Sequence, residues 1–137
     1  MLQAMNTGHE GSLSTAHANS PRHLLWRLET MALMSDVELP VAHVREQVAS
    51  AIDVIVHMAR RRDGRRVVHR VATVDGVRDG EPVLTDLFAF RGTGGPGGSG
   101  RFMGLGSAPP LARVLEERGE ILGEGTFGAG PDGGEAA

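Results

Sequence analysis

Residues 6–21 read NTGHEGSLSTAHANSP, and their order predicts the local fold. A glycine turn leads into a short hydroxyl-rich run, Ser12–His17, which we expect to form a strand. A polar loop follows and ends at Asn19-Ser20-Pro21, a typical helix start. Sheets that bind nucleotides present polar side chains in this way at the carboxyl end of a strand. The stretch therefore predicts an α/β fold with His17 at a strand end.

The flanking segments predict helices on both sides of this stretch. Residues 1–7 resemble the last turns of a helix, with Gly8 as its C-terminal cap. On the other side, Ser20 is a good N-cap, and Pro21 fits the first helical position because its missing N–H is not needed there. Apolar residues then recur at helical spacing. The predicted helices cover residues 21–34 and 41–52.

From Asp53 onward the apolar period changes to two, which predicts strands. Asp63-Gly64 is a strong hairpin signal between the first two strands. A second turn is expected around Asp75-Gly76 and Asp79-Gly80. The expected result is an antiparallel β-meander with flanking helices. The predicted strands are residues 54–59, 66–74 and 83–90.

Composition divides the chain into four parts. Residues 1–91 form the α/β part, and residues 92–101 are so rich in glycine that they predict a loop. Residues 102–122 form a short C-terminal helical segment, with a helix over residues 110–118. The acidic, glycine-rich tail, residues 123–137, is expected to be disordered.

Composition also excludes several classes of protein. All 14 basic residues are arginine, so the chain contains no phosphate-binding Gly-Lys-Ser/Thr loop. The absence of cysteine excludes disulfides and thiolate metal sites and fits a reducing compartment. No apolar stretch is long enough for a membrane span, and no signal peptide is recognisable, so we expect a cytoplasmic protein. The net charge of -3 argues against a general polyanion binder.

His17 is the strongest single candidate for chemistry. Beside Thr15 at a strand end, it can donate a hydrogen bond to a nucleotide's terminal phosphate or to an attacking water. The alternative is a histidine bonded to a loop carbonyl. His9, His17 and His23 do not have the spacing of a helical zinc site, so we expect no bound metal. The chain has no Gly-x-Ser-x-Gly elbow, which disfavours a serine nucleophile.

Six arginines fall on the predicted hairpin, against one acid, Asp63. Such a patch can contact an acidic partner, nucleic acid, or a nucleotide phosphate on a neighbouring subunit. A solvated hairpin tip is the remaining interpretation. Nucleic acid is disfavoured because the aromatic side chains that stack on bases are missing from this part of the chain. The arginines are Arg60, Arg61, Arg62, Arg65, Arg66 and Arg70.

Roughly the first 90 residues resemble a known family of motor proteins. The segment MLQAMNTGHEGSLSTAHANSPRHLLWRLETM is similar to the type II/type IV secretion-system ATPases, most of all the CpaF-like branch that drives Tad/Flp pilus assembly. The likeness continues through ELPVAHVREQVASAIDVIVHMARRRDGRRVVHRVATV and DLFAF. It implies the C-terminal part of a RecA-like P-loop ATPase domain that uses ATP and Mg²⁺. It also implies a homo-hexamer at the cytoplasmic face of the inner membrane, in contact with secretion or pilus platform proteins.

The same resemblance implies roles for individual residues. The run GSLSTAHANSP corresponds to the family's His box, so His17 would lie near the γ-phosphate, with Thr15 in the same strand. Gly11 and Ser12 would form the turn that leads into it. The arginine hairpin falls where subunit contacts are expected in the family. The arginines assigned to such contacts are Arg60, Arg61, Arg62, Arg65 and Arg66.

The family's Walker A lysine loop and Walker B acidic residues precede the point where this chain starts. We therefore expect a truncated gene, a misplaced start codon or a split domain, which is inactive alone and binds no cofactor by itself. Two alternatives stay open. One is a non-enzymatic partner-docking module that uses the Arg60–Arg70 hairpin, and the other is a gene remnant that never folds stably.

Overall fold

The computed structural model describes residues 11–34, 39–92, 100–106, 108–120, 122–123 and 125–128. This part of the chain is mixed α/β, as the sequence predicts, with three helices and a four-stranded sheet. In chain order the elements are α1 (Pro21–Leu33), α2 (Val41–Ala51), β1 (Val54–Arg60), β2 (Arg66–Arg78), β3 (Glu81–Gly92), β4 (Gly100–Gly104) and α3 (Pro110–Glu117).

The two predicted N-terminal helices are confirmed to within one residue at each end. Helix α1 begins where the sequence predicts, because the Ser20 hydroxyl accepts a hydrogen bond from the His23 backbone N–H at 3.2 Å. Pro21 occupies the first turn, where a missing N–H has no cost. Helix α2 follows Pro40, which supplies no side-chain cap. The predicted helix near the C-terminus is also present, as α3.

The strands form a meander in the order β1-β2-β3-β4, with neighbours hydrogen-bonded. Strands β3 and β4 pair antiparallel, with Phe90 opposite Phe102. Strand β2 continues through Asp75-Gly76, where a turn was expected. The turn lies only at Asp79-Gly80, since both residues have the positive φ, 53° and 76°, that a tight two-residue hairpin turn requires.

The predicted strand Ser12–His17 is wrong, because residues 12–18 have no regular secondary structure. The hydroxyl-rich run is compatible with an extended chain. An extended segment becomes a strand only when its N–H and C=O groups pair with a neighbour. The sheet consists of β1 to β4, so the run has no such neighbour among the described residues. The predicted helix at residues 1–7 and its cap Gly8 lie outside the described residues.

The ends of the predicted glycine-rich loop, residues 92–101, belong to strands. Gly92 ends β3 and β4 begins at Gly100, while residues 93–99 lie outside the described residues. Strand β4 also takes the first residues of the predicted helical segment. Its glycines carry no strand signal, and pairing with β3 decides its conformation. Residues 125–128 of the predicted disordered tail form a hydrogen-bonded turn, in which Gly128 N–H donates to the Gly125 carbonyl at 2.8 Å.

The chain divides into two compact units, and the first contains residues 1–55 and 74–84. Among its described residues, α1 and α2 pack through apolar side chains on their facing sides. Each leucine-sized side chain buried there contributes about 1.5–3 kcal/mol. The buried cluster consists of Leu25, Leu28, Val44, Val48 and Ile55.

The second unit contains residues 56–73 and 85–137. In its described part, strand residues and helix α3 supply the buried side chains Ala72, Thr73, Leu87 and Ala112. An aromatic group lies beside them. The Phe88 ring stacks on Phe102 with the centroids 5.5 Å apart, and Phe127 lies 5.9 Å from Phe88.

We expect Leu25→Ala to lower the free energy of unfolding by about 2–5 kcal/mol, because Leu25 is 1% exposed and its truncation leaves a cavity. The melting temperature should fall by roughly 10 °C. Thermal melting followed by circular dichroism measures the effect. The matched control is Leu13→Ala at a 97% exposed position, which should change the free energy by less than about 0.5 kcal/mol. Equal effects of the two variants, or no cooperative transition in the parent chain, would contradict this core.

Candidate functional site

The segment that carries His17 is exposed. Gly11 has a φ of +86° and starts it, and residues 12–18 run on without regular structure. The side chains of Ser12, Thr15 and His17 all face solvent. The structure therefore does not gather the four predicted ATP-site residues into a cleft, although it keeps them on one short segment.

The start of helix α1 anchors this segment at its C-terminal end. Pro21 is buried, Ser20 is half-buried and caps the helix, and His17 lies three residues before the cap. His17 makes no hydrogen bond or ion pair with any described residue, so both ring nitrogens are open to an incoming group. A histidine in this position can donate to an anionic oxygen that approaches from solvent. No described residue forms a hydrogen bond with the His17 ring that would orient it as a general base.

The predicted absence of a metal site stays a prediction. Among the described residues, no group of three or more His, Asp, Glu or Cys side chains lies close enough to hold an ion. His9, one of the three histidines considered for such a site, lies outside the described residues.

Arg45 on α2 connects three segments of the first unit, and nothing in the sequence pattern singled it out. Its Nε donates to Glu29 Oε2 on α1 at 2.9 Å. Its Nη1 donates to the Gly80 carbonyl in the β2–β3 turn at 2.6 Å and lies 3.6 Å from Glu81. Arg22 reaches the same Glu81 at 3.8 Å. The hydrogen bond to Glu29 raises the pKa of the Arg45 guanidinium.

The predicted hairpin between β1 and β2 is confirmed, and it presents the arginine cluster. The Arg61 N–H donates to the Arg65 carbonyl at 2.8 Å, and Gly64 takes the positive φ of +86° that closes the turn. Asp63 accepts hydrogen bonds from the Arg65 N–H at 3.0 Å and from Arg65 Nε at 3.2 Å. It also lies 3.6 Å from Arg61. The carboxylate of Asp63, the one acid of the cluster, therefore interacts with residues of the turn itself.

A pocket of about 310 Å³ is lined mainly by residues of this hairpin. Ala59, Val67 and Phe90 form its apolar part, while Arg60–Asp63 and His69 form its polar part. The Arg61 guanidinium lies over the Phe90 ring, 5.2 Å from the centroid, a favourable cation–π distance. We call this space the arginine pocket. It joins a cationic wall to an aromatic surface.

The five arginines predicted to make subunit contacts have different surroundings. Arg60, Arg61 and Arg62 line the arginine pocket, and Arg60 is held by a hydrogen bond from its Nε to the Gly64 carbonyl at 3.1 Å. Arg65 pairs with Asp63, and Arg66 is exposed at the start of β2. Subunit contact by these residues remains a prediction. The sixth arginine of the cluster, Arg70, pairs with Asp86 at 3.2 Å.

Two histidines beside the arginine pocket were not predicted as functional. His57 on β1 and His69 on β2 meet edge to face, with ring centroids 5.7 Å apart. The Nδ1 atom of each is buried and has no hydrogen-bond partner among the described residues. The sequence signal was available, because each histidine lies on a strand leading to or from the hairpin, at the same distance from Asp63.

Residues 1–82 match the protein family described as type II/IV secretion system protein. The matched region includes both the His17 segment and the arginine hairpin. In the described part of the chain, no helix is long and apolar enough to cross a membrane.

Three relatives illustrate the likeness. A Mycobacterium tuberculosis protein named as a conjugal transfer protein is 35% identical over 92 residues, which is 67% of this chain and 26% of the relative. The conjugal transfer protein TrbB of Rhizobium radiobacter is 35% identical over 79 residues, or 58% and 23%. The type IV secretion system protein PtlH of Bordetella pertussis is 39% identical over 83 residues, or 59% and 24%. The chain thus matches about a quarter of the length of each relative.

We expect Asp63→Asn to lower the melting temperature at neutral pH, because the backbone N–H of Arg65 and the nearby arginines hold the pKa of Asp63 below its usual range. A depressed pKa stabilises the folded protein above the unfolded value of about 3.9, and the effect is lost as the pH falls through the folded value. The difference between variant and parent should therefore shrink below about pH 4.

Thermal melts at pH 7, 5 and 3 measure this dependence. Asp53→Asn is the matched control, since the Asp53 side chain is exposed and makes no ion pair among the described residues. If the melting temperatures of Asp63→Asn and the parent differ by the same amount from pH 7 to pH 3, the charge of the Asp63 carboxylate is not the cause of the difference.

Proposed function

This chain belongs to the type II/IV secretion system protein family, and we propose that it is the C-terminal part of an ATPase that powers secretion or conjugal transfer by ATP hydrolysis in the intact protein. The observation that carries the proposal is the family match over residues 1–82, which includes GSLSTAHANSP and the arginine hairpin. The relatives named for conjugal transfer and type IV secretion support the same class of machine. A narrower form of the proposal is that the intact protein belongs to the CpaF-like branch and powers the assembly of a Tad/Flp pilus.

In the intact protein, His17 acts as a contact to the γ-phosphate. Its exposure and the lack of a hydrogen bond to any described residue support this role, because a phosphate oxygen can reach it without displacing such a partner. Thr15 offers a hydroxyl on the same segment. Gly11 and Ser12 form the turn that leads into it. The segment is thus a component of an ATP site, ordered by groups that lie elsewhere in the assembled enzyme.

The residues of this chain do not fit a complete site for ATP and Mg²⁺. Phosphoryl transfer needs a phosphate cradle with a cation and an acidic residue to hold the metal. The chain has no lysine, and its described acids form no ligand group near His17. The cradle and the metal ligand must therefore come from other sequence. The RecA-like fold, the homo-hexamer and docking on inner-membrane platform proteins belong to the same proposal for the intact protein.

The purified 137-residue chain should show no ATP turnover above the buffer rate, since it lacks the lysine loop. Phosphate release at millimolar ATP and Mg²⁺ measures this directly. ATP turnover by the parent chain that His17→Ala abolishes would mean that the chain holds a complete site. It would overturn the proposal that the phosphate cradle and the metal ligand come from other sequence.

A chimera tests the role of the chain in catalysis. This chain replaces the corresponding segment of Rhizobium radiobacter TrbB, and circular dichroism checks that the product folds. We expect ATP hydrolysis by the chimera, and a loss of about a hundredfold in kcat on His17→Ala, as for removal of one transition-state hydrogen-bond donor.

His43→Ala is the matched control, because His43 is exposed on α2 and bonds only to Gln47 among the described residues. A folded but inactive chimera would count against the ATPase proposal. An active chimera with equal rates for both variants would retain the ATPase and exclude His17 from the reaction.

The second candidate function is a non-enzymatic docking module that uses the Arg60–Arg70 hairpin, and the arginine pocket is the observation that favours it. Such a module would bind an acidic partner with an affinity that falls as salt rises, because screening weakens exposed charge pairs. A steep loss of DNA or RNA binding with salt would instead identify nucleic acid as the partner.

A further inference from the structure

Strand β1 forms one end of the sheet, and its outer edge pairs with no described strand. On its inner side, the Arg61 N–H donates to the Arg65 carbonyl, and the Asp53 carbonyl accepts from the Val74 N–H of β2. Peptide groups alternate in direction along a paired strand, so the odd-numbered residues here point their N–H and C=O groups at β2. The peptide groups of the even-numbered residues of β1 therefore point outward, away from the sheet.

The side chains of β1 leave this edge open as well. Val56 and Met58 are each 57% exposed, and they lie on the same face because alternate side chains of a strand point the same way. Residues 54–60 read VIVHMAR, without the proline or lysine that protects many edge strands from pairing. An unprotected edge with exposed apolar side chains is a site at which another strand can pair.

Charges of opposite sign lie at the two ends of β1. Asp53 precedes the strand, is exposed and forms no ion pair with a described residue. Arg62 follows the strand, and it is likewise exposed and makes no hydrogen bond or ion pair with a described residue. A parallel copy of β1 would bring like charges together at both ends. An antiparallel copy brings each Asp53 to the Arg62 end of the other strand, so the charges attract.

One antiparallel register uses the whole of β1. It has its centre at His57 and pairs all seven residues of the strand with those of a second copy. Val56 of each copy then lies opposite Met58 of the other, so the contact occurs twice. The outward N–H and C=O groups of both strands are hydrogen-bonded in the same register. A second copy therefore complements the backbone, the apolar side chains and the charges of this edge.

We propose that β1 is an interaction surface for a second copy of this chain, and that two copies pair their β1 strands antiparallel into one continuous sheet. The contact is isologous, because the same strand is used on both sides. It goes beyond the proposed ATPase function, since the paired strand contains none of the residues assigned to the ATP site.

Sedimentation equilibrium of the full 137-residue chain, from micromolar to submillimolar concentration, tests the pairing. The parent should form a dimer, and Val56→Lys should raise its dissociation constant at least about tenfold, because an inward charge on an edge strand opposes pairing. The matched control is Val114→Lys on α3, where the valine is 43% exposed, and it should leave the dissociation constant unchanged. Circular dichroism melts check that each variant folds.

A backbone variant separates strand pairing from simple apolar contact. Met58→Pro removes an outward N–H without removing a hydrogen bond to β2, as proline is tolerated on the free side of an edge strand. It should also weaken the dimer at least about tenfold, since it removes a donor from the ladder between the copies and its ring obstructs the neighbouring strand.

A charge exchange tests the antiparallel direction. Asp53→Arg and Arg62→Asp should each weaken the dimer, while the double variant Asp53→Arg/Arg62→Asp restores it, because the two ends are again complementary and the net charge is that of the parent. A parent chain that stays monomeric over the whole concentration range overturns the proposal. A dimer that Val56→Lys and Met58→Pro leave intact overturns it as well, because another surface then holds the copies together. Failure of the double variant to recover the dimer excludes the antiparallel arrangement.

Discussion

The first unit depends on Arg45, which lies where α1, α2 and the β2–β3 turn meet. One guanidinium bonds Glu29 at 2.9 Å and the Gly80 carbonyl at 2.6 Å, and the apolar cluster around Leu25 and Val44 lies in the same unit. A planar guanidinium presents donors in fixed directions, so these bonds restrict how the three segments pack. Burial of apolar side chains is the main favourable contribution to folding in general, and the Arg45 hydrogen bonds add a directional constraint on the two helices and the turn. Helix α1, which carries the His17 segment at its start, is held by this arrangement.

The second unit relies on a more local constraint. Asp63 closes the hairpin through the Arg65 N–H and pairs with the side chains of Arg65 and Arg61 within the turn. The hairpin therefore combines a hydrogen-bonded turn with the exposed arginines Arg62 and Arg66. Phe90 adds an aromatic surface beneath Arg61. The family match covers this hairpin as well as the His17 segment, so both candidate surfaces belong to the region shared with the secretion proteins.

Local signals predicted most of the elements correctly. Ser20-Pro21 marked the start of α1, and Asp63-Gly64 marked the hairpin, because caps and tight turns are decided by residues a few positions apart. The strand at Ser12–His17 and the loop reaching Arg101 were wrong for the opposite reason. Whether an extended run becomes a strand depends on a partner far away in sequence, which residues 12–18 lack among the described strands and which β4 finds in β3.

The sequence by itself determined the helices, the hairpin, the absence of a lysine loop and the family to which the chain belongs. Only the tertiary structure decided that Arg45 ties α2 to Glu29, that His57 meets His69, and that Arg60–Asp63 share a pocket with Phe90. These contacts join residues from different elements, and their geometry depends on how strands pair and helices pack. Periodicity and composition do not indicate the distances between residues of different elements. They do indicate the short-range conformational preferences that decide whether a segment forms a helix, a strand or a turn.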